Sequence, residues 1–223
     1  MFAVIFEVHP KTEQWDDYLH QAGLLRPELV EIDGFLTNER YASLQHEGWV
    51  LSLSLWRDEK AVIRWRTFAR HHETQEKGRF EIFADYHLRV GEVTADSGLA
   101  AGEALREQRF DETETGDATH LVLAERTIAE LPEKPAAADV MTRLGLPAPD
   151  ALVGLVERDV FRHLQRPDDY LLLTSWKTPM AADAWLPRRQ GDGARYRRVR
   201  VIRDYGMFDR REAPQYYPPA PRP

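Results

Sequence analysis

The 223-residue chain has no cysteine, which excludes disulfide bonds, thiolate catalysis and cysteine-ligated metals. It has no apolar run near the roughly 18 residues that a membrane-spanning helix needs. It also lacks an excess of positive charge. The formal net charge is −7, whereas binding to nucleic-acid phosphates requires a strongly basic surface. We therefore expect a small-molecule substrate as the partner, and neither nucleic acid nor a membrane.

Sequence signals for secretion and for common cofactors are also missing. The N-terminal residues MFAVIFEVHP have no basic segment before the apolar ones and reach a charge at Glu7, unlike a secretory signal. A cytoplasmic location is the resulting expectation. No glycine-rich phosphate loop, paired-histidine zinc motif or nucleophile elbow is present, which argues against nicotinamide and P-loop chemistry.

What the sequence does contain is an internal similarity at an offset of 120 residues. The offset pairs Gly34 with Gly154, Trp56 with Trp176, and Trp65 with Trp185. With one residue deleted, it also pairs Asp85-Tyr86 with Asp204-Tyr205. The chain has six tryptophans, so two pairs at one offset favour a tandem duplication.

Each copy is predicted to have the order β-α-β-β-α-β. Phe2, Val4, Phe6 and Val8 alternate with a period of two, as in a strand, and helical spacing follows from Trp15 to Leu25. Asp58 and Thr178 occupy the N-cap positions of the second helices. The predicted fold class is α+β, with tandem ferredoxin-like domains that each form a four-stranded antiparallel sheet.

The same patterns divide the chain into four segments. Residues 1–92 form the first domain and 119–210 the second, more divergent one. Residues 93–118, rich in glycine and acidic residues, are expected to be an exposed linker with a short helix near 102–109. Residues 211–223 form a proline-rich tail that should be extended.

The stretch from Ser54 to Val90 resembles the antibiotic biosynthesis monooxygenase family, whose members form dimeric α+β barrels. The resemblance rests on these residues: Ser54-Leu55-Trp56, Ala61, Trp65-Arg66, His71, Gln75, Gly78-Arg79, Phe83, Tyr86 and Arg89-Val90. It implies a monooxygenase that acts on a planar aromatic or polyketide-like molecule. The alternatives are a haem-binding or haem-degrading protein and a non-catalytic binding or assembly module. A homodimer is a further expectation.

His71 and His72 are the first candidates for chemistry, because neutral imidazole can act as a base or ligate haem iron. On a continuous helix His72 would share the face of Trp65, whereas the family pattern matches His71. The positions corresponding to them in the second copy are Gly191 and Asp192. An active site is therefore expected in the first domain.

Five other side chains complete the predicted site. Trp56, Trp65 and Phe6 are candidates for the walls of a substrate pocket, although repeated tryptophans also suit a core. Tyr86 is a candidate hydrogen-bond donor to substrate. Glu7 could face the barrel interior as a base, and pairing with an arginine is the competing interpretation, as for Glu125.

No cofactor is required by the sequence, and haem remains an option. The resemblance implies that haem degradation uses an asparagine on the first strand, and Phe2–Val8 contains none. Arginines crowd residues 188–211; they could receive a carboxylate by bidentate pairing or line the solvent face of a strand.

Overall fold

The computed structural model describes residues 1–146, 152–185 and 193–220. Eight strands lie within them: β1 (Phe2–Pro10), β2 (Phe35–Ser43), β3 (Val50–Trp56), β4 (Phe83–Asp96), β5 (His120–Thr127), β6 (Leu155–His163), β7 (Asp169–Trp176) and β8 (Arg195–Gly206). The described α-helices are α1 (Trp15–Val30), α2 (Glu59–Thr67), α3 (Ala69–Lys77), α4 (Ala137–Arg143) and α5 (Pro179–Trp185). A π-helical turn, Gly78–Ile82, joins α3 to β4.

The strands form one closed antiparallel barrel in the order β1-β3-β2-β6-β7-β5-β8-β4. The α+β assignment is confirmed, but the prediction of two separate four-stranded sheets is wrong. Strand β2 pairs with β6 around Tyr41 and His163, and β4 pairs with β8 around Gly91 and Val201. In both pairings, the backbone groups of an edge strand form hydrogen bonds that they would otherwise lack. The two sheets therefore close into one barrel within a single chain.

Alternation along the strands separates the inside of the barrel from its outer face. On β1, Ala3 and Ile5 belong to an apolar cluster inside the barrel, together with residues of the other strands such as Leu123 and Leu173. Phe2 and Val8 belong to clusters on the outer face, against the helices. Each face of the sheet therefore has its own core.

The two halves share their element order and their strand pairing, with β1-β3-β2 and β5-β7-β6 matching. The matched glycines show the same constraint. Gly34 and Gly154 have φ of +93° and +87°, and a Cβ added to them would lie 2.6 Å from Ala61 Cβ and 2.8 Å from Ala181 Cβ. The predicted N-caps are also present, since Asp58 and Thr178 accept hydrogen bonds from the amides of those two alanines.

The last part of the predicted repeat is corrected by the strand register. Glu7 lies opposite Leu51 and His87, whereas Glu125 lies opposite Leu171 and Arg195. Residue 195 therefore corresponds to residue 87, and Tyr205 is not the counterpart of Tyr86. Instead, Tyr205 lies opposite Leu88 on β4.

The reason for this shift is a difference in length between the halves. Arg89 follows Trp65 by 24 positions, whereas Arg197, which occupies the same register, follows Trp185 by 12. The stretch that carries His71 is therefore 12 residues longer than the corresponding stretch of the second half.

Three other element boundaries differ from expectation. The predicted single helix after Asp58 is divided at Phe68, whose φ and ψ of −63° and 125° are extended. Strand β4 continues to Asp96, into the predicted linker. Residues 102–109 contain no helix, because the Glu92 carboxylate accepts hydrogen bonds from the amides of Gln108 and Arg109 and holds the segment extended.

Candidate active site

A cavity of about 220 Å³ lies in the first half, between the outer face of its sheet and helices α1, α2 and α3. Its floor comes from outward-facing residues of four strands, among them Val4, Phe6, Ser52 and Leu88. The alternation that buries Ala3 and Ile5 inside the barrel also directs Val4 and Phe6 into this cavity.

His71 enters the cavity because of the break at Phe68. Its ring stacks on Trp65 with 4.2 Å between ring centroids and 16° between the planes. Trp65 also stacks on Phe68, at 6.0 Å. On an unbroken helix His72 would have shared the face of Trp65. The extended backbone at Phe68 changes the orientation of α3, and His71 faces the cavity instead. The family pattern, and not helical periodicity, therefore identifies the histidine in the cavity.

The hydrogen bond of the His71 ring indicates which of its nitrogens carries the proton. Its Nδ1 lies 2.8 Å from the carbonyl oxygen of Trp65, and since a carbonyl only accepts, Nδ1 carries the proton and Nε2 is the acceptor. Burial lowers the pKa of His71 to about 4, with a further lowering by the charge of His72. His71 is therefore neutral at neutral pH.

Tyr86 lies in the cavity between two guanidinium groups. Nη1 of Arg79 donates to its hydroxyl at 3.1 Å, and Nη1 of Arg210 does so at 2.6 Å. A phenolic oxygen has two lone pairs, and both are occupied. The hydroxyl proton of Tyr86 is then free to be donated, in keeping with the predicted role of Tyr86 as a hydrogen-bond donor.

Phe6 and Trp65 line the cavity, as predicted for its walls. Phe6 makes edge-to-face contacts with Phe83 and Tyr86, at centroid distances of 5.8 and 5.6 Å. These rings give the middle of the cavity an apolar surface.

Trp56 and His72 are not among the residues that line the cavity. Trp56 is fully buried, and its Nε1 donates to Ser54 Oγ at 2.9 Å, as Trp176 Nε1 does to Thr174 Oγ1. This tryptophan therefore belongs to the scaffold. His72 is exposed and stacks on Tyr217 at 5.7 Å.

Glu7 lies on the opposite side of the sheet from the cavity. Inside the barrel it forms an ion pair with Arg89, and Glu125 forms the equivalent pair with Arg197. Arg89 is 1% exposed, so the pair is shielded from water. This geometry fits the pairing interpretation of Glu7 and separates its carboxylate from His71 and Tyr86 by the thickness of the sheet.

Sequence reasoning missed the cationic lining of the cavity, which comprises Arg40, Arg66, Arg79 and Arg210. Among the described residues no carboxylate lines this cavity, and none of the four arginines lies within ion-pairing distance of one. Nε of Arg40, Arg66 and Arg79 is buried without a hydrogen-bond partner in the described chain. An anionic ligand would satisfy this excess of positive charge.

Sequence reasoning also did not predict that the proline-rich tail forms part of the site. Gln215 and Tyr217 line the cavity, and the Tyr217 hydroxyl donates to Gln75 Oε1 at 3.3 Å. Arg210 donates to the carbonyl of Gln215 at 3.0 Å and lies over the rings of Tyr205 and Tyr217. Residues 205–217 of the second half and the tail therefore close a cavity of the first half.

The other arginines of the crowded segment are mostly neutralised. Arg195, Arg197, Arg198 and Arg200 form ion pairs with acidic residues, and Arg210 is the one from this group that lines the cavity. Arg188 and Arg189 lie outside the described residues.

The corresponding space in the second half is filled by side chains. Trp185 is 3% exposed, stacks on Trp176 at 6.3 Å and meets Tyr196 edge to face at 5.8 Å. Val140 of α4 and Leu144, which directly follows α4, pack into the same cluster. Gly191 and Asp192 fall outside the described residues. Of the two matched tryptophans, Trp65 faces a cavity and Trp185 occupies a core.

Comparison with known proteins identifies the family of the chain. The sequence profile of the antibiotic biosynthesis monooxygenase family matches residues 1–77. Jasmonate monooxygenase ABM of Pyricularia oryzae is 46% identical over 223 residues, covering 99% of this chain and 100% of that one. The chain belongs to the antibiotic biosynthesis monooxygenase family. The resemblance inferred from Ser54–Val90 is thereby confirmed.

Among solved structures, two crystal structures of aldoxime dehydratase share the fold of this family member. Each has a TM-score of 0.52; the identities are 12% and 11%, and the matches cover 90% of this chain and 80% and 79% of the dehydratase. In the described part of the chain, no helix is both long and apolar enough to cross a membrane, and no group of three or more His, Asp or Glu side chains is arranged to hold a metal ion.

Proposed function

We propose that this protein is a monooxygenase that oxidises a small, largely apolar carboxylic acid in the cavity of its first half. The observation that carries the proposal is the set of four arginines without a carboxylate partner around an otherwise apolar cavity. Jasmonate is an acid of this kind, and it is the substrate named for the full-length relative. The planar aromatic or polyketide-like phenol expected from the sequence is the second substrate class to test.

The roles of the side chains follow from their hydrogen bonding. His71 offers an acceptor at Nε2, and Tyr86 offers a donor, so together they can bind one polar group of a substrate. With a pKa of about 4, His71 is a weak base at neutral pH, because each unit of pKa difference costs about 1.4 kcal/mol in proton transfer. We therefore assign His71 to positioning the substrate, with Tyr86 stabilising negative charge on an oxygen.

Electron balance constrains the assay. Inserting one oxygen atom of O₂ into a C–H bond and releasing the other as water requires two electrons and two protons. A phenol of the anthrone type can supply the electrons itself, whereas an unactivated C–H bond needs an external two-electron reductant. The assay for an acid such as jasmonate should include a reductant, and the assay for a phenol should not.

The test is incubation of the full chain with jasmonate, a reductant and heavy-isotope dioxygen, followed by mass spectrometry. We expect a product with one labelled oxygen atom, formed more slowly by Tyr86→Phe and His71→Ala. His20→Asn is a matched control, since His20 is exposed on α1 and does not line the cavity. Binding of jasmonate without any oxygenated product, with and without reductant, would favour the non-catalytic binding module.

Haem is the cofactor that the family resemblance leaves open, and His71 is the residue that would hold it through Nε2. Histidines that bind metals usually donate the other ring N–H to a carbonyl or carboxylate, and His71 Nδ1 is hydrogen-bonded to the Trp65 carbonyl. Bound haem would supply oxygen activation. In a hemin titration, a shift of the Soret band that is lost in His71→Ala would support this candidate; an unchanged spectrum with equimolar hemin would eliminate it.

A further inference from the structure

We propose that Arg40 is the residue that binds the carboxylate of the substrate, at the end of the cavity formed by β2 and α1. The inference rests on the proposed function, since it names where an acidic substrate is held. Arg40 differs from Arg66, Arg79 and Arg210, the other arginines that line the cavity, in its position and in its hydrogen bonding.

Strand register gives the position of Arg40. It lies opposite Ser52 on β3, Ser52 lies opposite Phe6 on β1, and Phe6 lies opposite Leu88 on β4. Adjacent strands are about 4.8 Å apart, so the backbones of Arg40 and Leu88 are separated by about 14 Å across this row. Tyr86 belongs to the same strand as Leu88, which places Arg40 and Tyr86 at opposite sides of the cavity.

Hydrogen bonding separates Arg40 from the arginines near Tyr86. Arg79 donates to Tyr86 and to the carbonyl of Met207, and Arg210 donates to Tyr86 and to the carbonyl of Gln215. Their Nη groups therefore have acceptors within the chain. Nε of Arg40 is buried without an acceptor, and the group on α1 that interacts with the Arg40 guanidinium is the uncharged hydroxyl of Tyr18.

The surroundings of Arg40 suit a carboxylate. Asn38 and Ser52, which are hydrogen-bonded to each other at 3.0 Å, line the cavity beside it. A guanidinium with no anionic partner in an apolar site is unfavourable, and a bidentate carboxylate restores the missing interactions. An acid held there would extend its apolar part over Phe6 and Leu88, towards His71 and Tyr86.

Nε of Arg66 and Nε of Arg79 are also buried without a partner. Because Arg79 already donates through Nη1 to Tyr86 and Met207, Arg66 is the rival residue. It lies on α2 at the side of the tail, where its charge acts on Tyr205 and its carbonyl accepts from Gln215. Binding there would place the carboxylate on the same side as Arg79 and Arg210. The two arginines can be separated by substitution.

The experiment measures the dissociation constants of jasmonate and its methyl ester by calorimetry for the full chain and for three variants. We expect Arg40→Gln to weaken binding of the acid by about 10- to 100-fold, the effect of removing a charged hydrogen bond, with little change for the ester. Arg66→Gln should retain the preference for the acid. Arg26→Gln, an exposed substitution on α1 outside the cavity, is the matched control and should resemble the native chain.

A second measurement needs no ligand. Because no carboxylate of the described residues lines the cavity beside Arg40, Arg40→Met should unfold at an equal or higher urea concentration than the native chain. A lower midpoint would assign Arg40 to the scaffold and overturn the inference. So would an Arg40→Gln variant that keeps the acid preference, or an Arg66→Gln variant that loses it. If the native chain binds neither acid nor ester, the proposed function fails and takes this inference with it.

Discussion

The unusual environment of His71 predicts a specific dependence of stability on pH. Its folded-state pKa of about 4 lies below the ordinary histidine value of 6.5. The unfolded chain therefore binds a proton more tightly, so the contribution of His71 is complete above pH 6.5 and is lost as the pH falls towards 4. At about 1.4 kcal/mol per unit, the shift amounts to at most about 3.5 kcal/mol.

The variant that isolates this effect is His71→Asn. Asparagine keeps an N–H near the position of Nδ1, so the hydrogen bond to the Trp65 carbonyl can persist, while the titrating ring is removed. Urea unfolding of both proteins at several pH values between 4.5 and 8 gives the difference in unfolding free energy. Losses from carboxylates are common to both proteins and cancel in that difference.

We expect the native chain to lose stability relative to His71→Asn steadily as the pH falls below 6.5. A difference that is constant from pH 8 to 4.5 would refute the lowered pKa of His71 and its neutral state. Direct titration of the His71 ring by NMR provides an independent reading, with a midpoint near 4 expected.

Two further predictions concern the scaffold. Glu7→Gln should lower the unfolding free energy by about 3 kcal/mol, because it leaves Arg89 buried with only the more distant Glu157 carboxylate, at 3.8 Å. The double variant Glu7→Gln/Arg89→Met should recover much of this loss in urea titrations. A double variant no more stable than the single one would contradict the explanation. Trp185→Ala should lower the unfolding free energy by about 3–5 kcal/mol, because it opens a void in the second half. The affinity for jasmonate should stay unchanged, since Trp185 is not among the residues that line the cavity. Equal losses of affinity and stability would argue against the separation of the two cores.

Much of the scaffold could be predicted from the sequence, because its signals are local. Alternation along Phe2–Val8 predicts a strand, and Asp58 and Thr178 mark helix starts that the structure confirms. The pairing of β2 with β6 and of β4 with β8 could not be predicted in this way. It depends on contacts between residues more than 100 positions apart, for which periodicity carries no information.

The site was predicted less completely, for three physical reasons. No proline or glycine stands at or beside Phe68 to indicate the helix break that turns His71 into the cavity. Arg40 faces the cavity beneath the helices because of its register with Ser52, and an arginine on a strand is ordinarily expected to face solvent. Arg210 reaches Tyr86 only because the chain after β8 folds back over the first half, which a proline-rich composition does not indicate.

A barrel closed within one polypeptide is released from two-fold symmetry. When two identical chains close such a barrel, every substitution appears twice. A substrate cavity is then present in both subunits, and so is the loss of stability that comes from leaving it unfilled. Here the halves differ: Trp185 fills one outer core, while Trp65 borders an open cavity in the other. One chain can thus combine a filled outer core in one half with a cavity in the other.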